Sequence, residues 1–176
     1  MNLGVLWQDV CEMSRNVKLR LATFSDGLAI ATMSRDLIET GLGWSWTASR
    51  VKRSIACSDT VVLVAHLRRR VVGFAIMSFG EEVAHLSLLA VALDYRRARI
   101  GRRLVQWLEE SALVAGIRLV RLEARANNCD AQAFYERLGF RKIGYVPGYY
   151  SGRESAVRMA HELGRRALEV PHDVES

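Results

Sequence analysis

From Leu86 to Phe140 the chain reads LSLLAVALDYRRARIGRRLVQWLEESALVAGIRLVRLEARANNCDAQAFYERLGF, and no other stretch limits its fold so tightly. An apolar run leads into a basic turn ending at Gly101, and Ile100, Leu104, Trp107, Leu108 and Ala115 then recur at the helical period. Gly116 supplies a C-cap, and Ile117 to Ala126 returns to an extended segment. Ala131, Phe134, Tyr135 and Leu138 then share one face of a second helix, which Gly139 stops. Strand, turn, helix, strand, helix is the expected order. A helix that starts directly after a basic, glycine-containing turn offers unpaired N–H groups and a positive dipole end, which suit a phosphate. The turn is therefore expected to bind an anion.

The remaining elements are placed around this stretch. Val17 to Thr23 alternates apolar and basic residues as a half-buried strand, and Ser25 or Asp26 caps a helix that turns Leu28, Met33 and Leu37 inward and ends near Gly41. A loop carrying Trp44 and Trp46 follows, and Thr47 caps a second helix through Ala56. Thr60 to His66 and Val71 to Phe79 form an antiparallel pair about Arg68-Arg69-Arg70, and Gly80-Glu81-Glu82 turns the chain into Val83 to Leu93. After Phe140 come a strand near Arg141 to Val146, a loop from Pro147 to Gly152, and a closing strand from about Glu154 to Leu163. Residues 1–16 read as an N-terminal extension, 17–163 as a single domain and 164–176 as a polar tail. The order β-α-α-β-β-β-α-β-α-β-β predicts an α+β fold, a three-layer α/β/α sandwich whose mixed sheet is largely antiparallel.

Half of the 176 residues are apolar, enough for a core without disulfides or metals. Residues 1–16 carry no Lys or Arg ahead of their apolar residues, and no apolar run approaches the length of a membrane span, so a soluble, cytoplasmic chain is expected. Cys11, Cys57 and Cys129 lack paired spacing and the four histidines are scattered, so no metal site is expected. The net charge of +6 raises nucleic acid as a partner. Much of that excess, however, sits in Arg96, Arg97, Arg99, Arg102 and Arg103, within the anion-binding turn. Nucleic acid is not the expected partner.

Arg96-Arg97-Ala98-Arg99-Ile100-Gly101 resembles the pyrophosphate loop of the GNAT superfamily of acyl-CoA-dependent N-acetyltransferases, whose pattern is Arg or Gln, two residues, Gly, one residue, then Gly or Ala. Arg99 stands in place of the first Gly. The likeness runs from Leu89-Ala90-Val91 through Glu123-Ala124-Arg125-Ala126-Asn127-Asn128 to Phe134-Tyr135-Glu136-Arg137-Leu138-Gly139-Phe140. It is nearest to the RimI-like group, which acetylates the N-terminal amine of a ribosomal protein, and it covers about residues 60 to 163. The resemblance implies a GNAT-like fold and acetyl-CoA as co-substrate, with no metal. It implies cofactor contacts from the main chain of Leu89, Ala90 and Val91, from Arg96, Arg97, Ala98, Arg99, Ile100, Gly101 and Arg102, and from Asn128. Glu123 takes the place of the general base and Tyr135 that of the general acid, while Trp44, Trp46, Tyr149 and Tyr150 border the acceptor.

Each of these residues also has a structural reading. Glu123 belongs to a strand whose other face is Val120, Leu122 and Ala124, where a solvated charge ladder is the alternative to a base. Tyr135 shares its stripe with Ala131 and Leu138, as a core aromatic would. Asn128 is an N-cap in its own right, and the two tryptophans equally suit the rim of a core. Arg99 either contacts phosphate or obstructs the loop. Among acceptors a protein N-terminal α-amine comes first, because its pKa of about 7.7 to 8.0 leaves more neutral amine at pH 7 than the value of about 10.4 for Lys. A small-molecule amine or a protein lysine is the enzymatic alternative. A non-catalytic acyl-CoA-binding or ribosome-associating module is the alternative of another class.

Overall fold

The computed structural model describes residues 16–164, so the extension expected over 1–16 and the tail expected over 164–176 lie, apart from Asn16 and Gly164, outside the described residues. Strand β1 (Lys18–Leu21) is followed by a 3-10 turn at Phe24–Asp26, α1 (Gly27–Leu37) and α2 (Ala48–Ala56). Three antiparallel strands come next, β2 (Thr60–Leu67), β3 (Arg70–Phe79) and β4 (Val83–Val91). The chain continues through α3 (Ile100–Val114), β5 (Leu119–Arg125), α4 (Cys129–Glu136), β6 (Arg141–Tyr150) and β7 (Glu154–Glu162). The strands form one sheet in the order β1-β2-β3-β4-β5-β7-β6, with β4 and β5 as its parallel neighbours.

Alternation along the strands loads both faces of this sheet. Leu63, Ala65, Ala75 and Met77 join α3 through Ile100, Leu104, Val105, Leu108 and Ala112, with Phe134, Tyr135 and Leu138 of the α4 region packed alongside. Val62, Val64, Phe74 and Ile76 face the other way and join α1 and α2 through Ile30, Ala31 and Val51. Two apolar layers, each covered by helices, make the expected three-layer sandwich.

Three local expectations are corrected. Leu28 is 67% exposed, because the buried stripe of α1 runs through Gly27, Ile30, Ala31 and Ser34 and leaves position 28 outside it. Ala115 is the exposed C-cap of α3, and Ala112, one turn earlier, completes its apolar face. The stretch expected as a loop after Val146 instead continues β6 to Tyr150. Pro147 is tolerated there because β6 lies at the sheet edge, where a missing N–H leaves no central ladder bond unmade.

Candidate active site

In β4, Leu86 pairs with Met77 and Leu88 pairs with Ile76, so Ser87 has no counterpart on β3 and forms a bulge. Before the bulge Ala84 and Leu86 face the α3 layer; after it Leu88 and Ala90 face the α1–α2 layer. The bulge thus exchanges the strand's faces beside β5. Pairing between β4 and β5 is confined to Val83 with Leu119, Ala84 with Val120 and His85 with Arg121. Beyond that point the strands part. The space between them is a cavity of about 1330 Å³, lined on one side by Leu86 to Val91 and on the other by Glu123, Ala124 and Arg125. Its volume exceeds the roughly 300 to 1,000 Å³ of a typical small-ligand pocket.

At one end stands the basic turn. Arg97 (φ 64°) and Arg99 (φ 59°) both adopt the left-handed conformation, and Arg99 is the N-cap residue of α3. Arg99 therefore takes the backbone shape that a glycine adopts without strain, at a cost of roughly 1 to 2 kcal/mol. The cost buys a curved loop that carries its N–H groups onto the first turn of a helix, an anion-binding arrangement. Arg96, Arg97, Arg99, Ile100, Gly101 and Arg102 all line the cavity, whereas Ala98 is buried in the core beneath the loop. Asn128 also lines it while capping α4, its Oδ1 accepting from the Ala131 N–H at 3.0 Å.

At the other end Glu123 is the centre of a charged network, not one rung of a solvated ladder. Its side chain is 8% exposed. Its Oε2 lies 2.6 Å from His85 Nε2 and accepts from the Tyr149 hydroxyl at 3.3 Å; Oε1 accepts from Arg158 Nε at 2.8 Å. The hydrogen bond with His85, reinforced by Arg158, outweighs burial and holds the carboxyl at about 2. Tyr150 donates to the Glu123 backbone carbonyl at 3.3 Å, and burial, with Tyr149 beside it, pushes its hydroxyl up to about 12. Tyr135 lines the same cavity from α4, and burial raises its hydroxyl well above the usual phenol range. It stays protonated at neutral pH.

The Trp46 side of the cleft is braced by residues that motif reasoning passed over. Glu39, 6% exposed, accepts from Ser45 N and Ser45 Oγ, both at 2.7 Å, from Trp46 N, and from Ser34 Oγ at 3.1 Å, and so fixes the loop between α1 and α2. Arg125 reaches from β5 to the carbonyls of Ile38 at 2.6 Å and Thr40 at 2.9 Å, tying that loop across the cleft. Trp46 lines the cavity with Arg50 stacked 4.0 Å from its ring centroid; Trp44 is not in the wall, its indole N–H donating to the Trp46 carbonyl at 3.1 Å. His85 and Ser87 are two polar residues at alternate positions of an otherwise apolar strand, a pattern that marks them once read.

The arrangement is therefore a cleft with an anion cradle at one end and a buried carboxylate network at the other. Residues 31–140 match the model of the Acetyltransferase (GNAT) family. The chain belongs to the GNAT family. Its curated relatives include the [ribosomal protein bS18]-alanine N-acetyltransferase of Escherichia coli, 37% identical over 94 residues, a match covering 52% of this chain and 64% of the relative. The chain thus spans just under two thirds of that relative's length. The crystal structure of the ribosomal-protein-S18-alanine N-acetyltransferase from Escherichia coli has the same fold, with a TM-score of 0.73 at 24% identity over 88% of this chain and 98% of that one. Arabidopsis thaliana NAA60, solved in complex with acetyl-CoA, superimposes with a TM-score of 0.74 at 19% identity over 85% of this GNAT chain and 99% of the other. The expected fold and family stand.

Proposed function

We propose that this GNAT domain transfers an acetyl group from acetyl-CoA to a primary amine, preferably the α-amine of a protein N-terminus, by direct attack within a ternary complex. The observation that carries the reading is the parting of β4 from β5 between the arginine turn and Glu123. The edge of β4 from Leu86 to Val91, left unpaired by β5, offers main-chain groups to an extended amide-bearing arm, in the manner of an added strand. The left-handed turn with Arg96, Arg97, Arg99 and Arg102 suits a pyrophosphate at the far end of such an arm. These two features fit the resident atoms to acetyl-CoA. Leu89, Ala90 and Val91 act through their backbone, and Asn128 sits beside the same arm.

The acceptor amine enters between Trp46 and Tyr149 with Tyr150. There the Glu123 carboxylate favours an ammonium, and its proton must leave before the nitrogen lone pair is free. Attack forms the C–N bond and breaks the C–S bond, and Tyr135 is the donor to the departing thiolate. The name of the Escherichia coli relative, an alanine N-acetyltransferase, supports an α-amine acceptor, and a ribosomal or other protein N-terminus is the partner proposed. The unpaired thiols of Cys57 and Cys129 suit a reducing, cytoplasmic setting. The test is release of CoA thiol in the presence of short peptides with free N-termini, against the same peptides N-terminally blocked but carrying a free lysine. Release confined to the free N-termini supports the reading; equal release from both sets moves the acceptor to lysine.

A further inference from the structure

Glu123 presents a difficulty as the group that receives the amine proton. Both carboxylate oxygens are already engaged, Oε1 by Arg158 and Oε2 by His85 and Tyr149. The hydrogen bond from His85, with Arg158, holds this carboxyl at about 2, well below an α-ammonium that ordinarily titrates at about 7.7 to 8.0, so it is a weak acceptor for that proton. The imidazole in contact with it is better placed. His85 lines the cavity, and its side chain is 38% exposed. Its Nε2 is committed to Glu123 at 2.6 Å, while Nδ1 lies 3.3 Å from the hydroxyl of Ser87, the bulge residue, which also lines the cavity.

We propose that His85 accepts the proton of the acceptor amine at Nδ1, and that Glu123 is the positioning anion that fixes its ring through Nε2. The proposal rests on the acetyltransferase reading above. A carboxylate at 2.6 Å requires Nε2 to carry the hydrogen, which leaves the lone pair on Nδ1 directed at Ser87 and the cleft. The bulge is what makes this lone pair usable, because it sets Ser87 as a hydroxyl bridge at the point where β5 has left the strand. In the step an ammonium N–H bond breaks and an Nδ1–H bond forms, directly or through the Ser87 hydroxyl. The freed lone pair then attacks the thioester carbonyl. The nitrogen's second proton replaces the one that Tyr135 gives the thiolate, and the imidazolium beside Glu123 returns its proton to solvent. The titratable and charged groups around the ring are Glu123 and Arg121 on β5, Arg158 on β7 and Tyr149 on β6; β3 places Ser78 opposite it, and Glu39 of the α1–α2 loop is taken up by Ser34, Ser45 and Trp46.

The experiment compares His85→Gln with wild type in the transfer assay from pH 6 to about 10, beside calorimetric titration with acetyl-CoA and thermal melting. His85→Gln should lose about 10²- to 10⁴-fold in kcat at pH 7, with unchanged acetyl-CoA affinity, and the deficit should shrink as the pH passes the range where the amine deprotonates unaided. His85→Ala supplied with imidazole in the buffer should regain activity that His85→Ala alone lacks. Retention of kcat within about tenfold at pH 7, or a deficit that does not shrink with pH, overturns the assignment to His85 while wild-type turnover leaves the acetyltransferase reading standing. Absence of transfer by the wild-type chain to any α-amine peptide removes that reading and this proposal with it.

Discussion

A Cβ placed on Gly101 would lie 3.2 Å from Cζ of Phe134, so the ring on α4 must give by a few tenths of an ångström to admit a side chain at the first turn of α3. The glycine of the phosphate-loop pattern thus also serves the packing beneath the loop. Gly101→Ala should cost about 1 to 3 kcal/mol in overpacking, against a helix-propensity gain of about 1 kcal/mol, and should lower both the melting temperature and acetyl-CoA affinity. Gly101→Glu should abolish binding altogether by adding negative charge at the helix N-terminus. Melting with and without acetyl-CoA checks both.

Arg99 gives the opposite sign in the two measurements. Its φ of 59° is strained for any residue with a Cβ, so Arg99→Gly should raise the melting temperature by the equivalent of about 1 kcal/mol. The same change removes a cation from the cradle and should weaken acetyl-CoA binding by about 1 to 3 kcal/mol. Arg99→Ala should weaken binding similarly without the stabilisation. Tighter binding by Arg99→Gly would mean that the side chain obstructs the loop.

Tyr135→Phe keeps the ring in its T-shaped contacts with Phe134 and Phe140 and removes only the hydroxyl. As the acid to the thiolate, it should lose about 10²- to 10⁴-fold in kcat with acetyl-CoA affinity and melting close to wild type. Wild-type kcat in this variant would return Tyr135 to a packing role.

Arg125→Ala cuts the tie from β5 to the carbonyls of Ile38 and Thr40. Because those carbonyls belong to the loop that carries Trp46, proposed to border the amine, and not to the arginine turn, the KM for the amine should rise several-fold while the Kd for acetyl-CoA stays unchanged. Steady-state kinetics at saturating acetyl-CoA separates the two.

Stability should depend on acid through Glu123 and Asp26. Both carboxyls are held at about 2 in the folded chain, Glu123 chiefly by its hydrogen bond with His85 and Asp26 chiefly by that with Arg20, from ordinary values of 4.5 and 3.8. The unfolded chain therefore binds these protons first as pH falls. Their contribution is complete above about pH 4.5 and is lost on the way down to about 2. Urea midpoints should drop as pH falls below the upper value, and Glu123→Gln should flatten part of that drop.

The elements themselves were legible because each announces its period: Ile100, Leu104 and Leu108 mark α3, and the alternation of Val62 and Val64 with Leu63 and Ala65 marks a strand buried on both faces. Thr47 and Asn128 are found as N-caps where their side chains accept from Arg50 and Ala131. What the sequence hid is tertiary. His85 and Glu123 stand 38 positions apart, and their contact depends on two strands that pair for only three residues before parting. Nor does any local signal distinguish the bulge at Ser87 from ordinary strand, and Glu39 and Arg125 gain their roles only once a loop folds over the cleft. Pro147 suggested a loop because its tolerance depends on β6 being an edge, a property of the whole sheet.

The most direct measurement supplies the protein with acetyl-CoA carrying an isotopically labelled acetyl group and a peptide bearing both a free N-terminus and an internal lysine, and locates the label by fragment mass spectrometry. Direct transfer to an N-terminal amine predicts one labelled acetyl group on the peptide α-nitrogen, with none on the lysine and none retained on the protein. Label found only as free acetate, or on a side chain of the protein itself, would contradict direct transfer to an N-terminal amine.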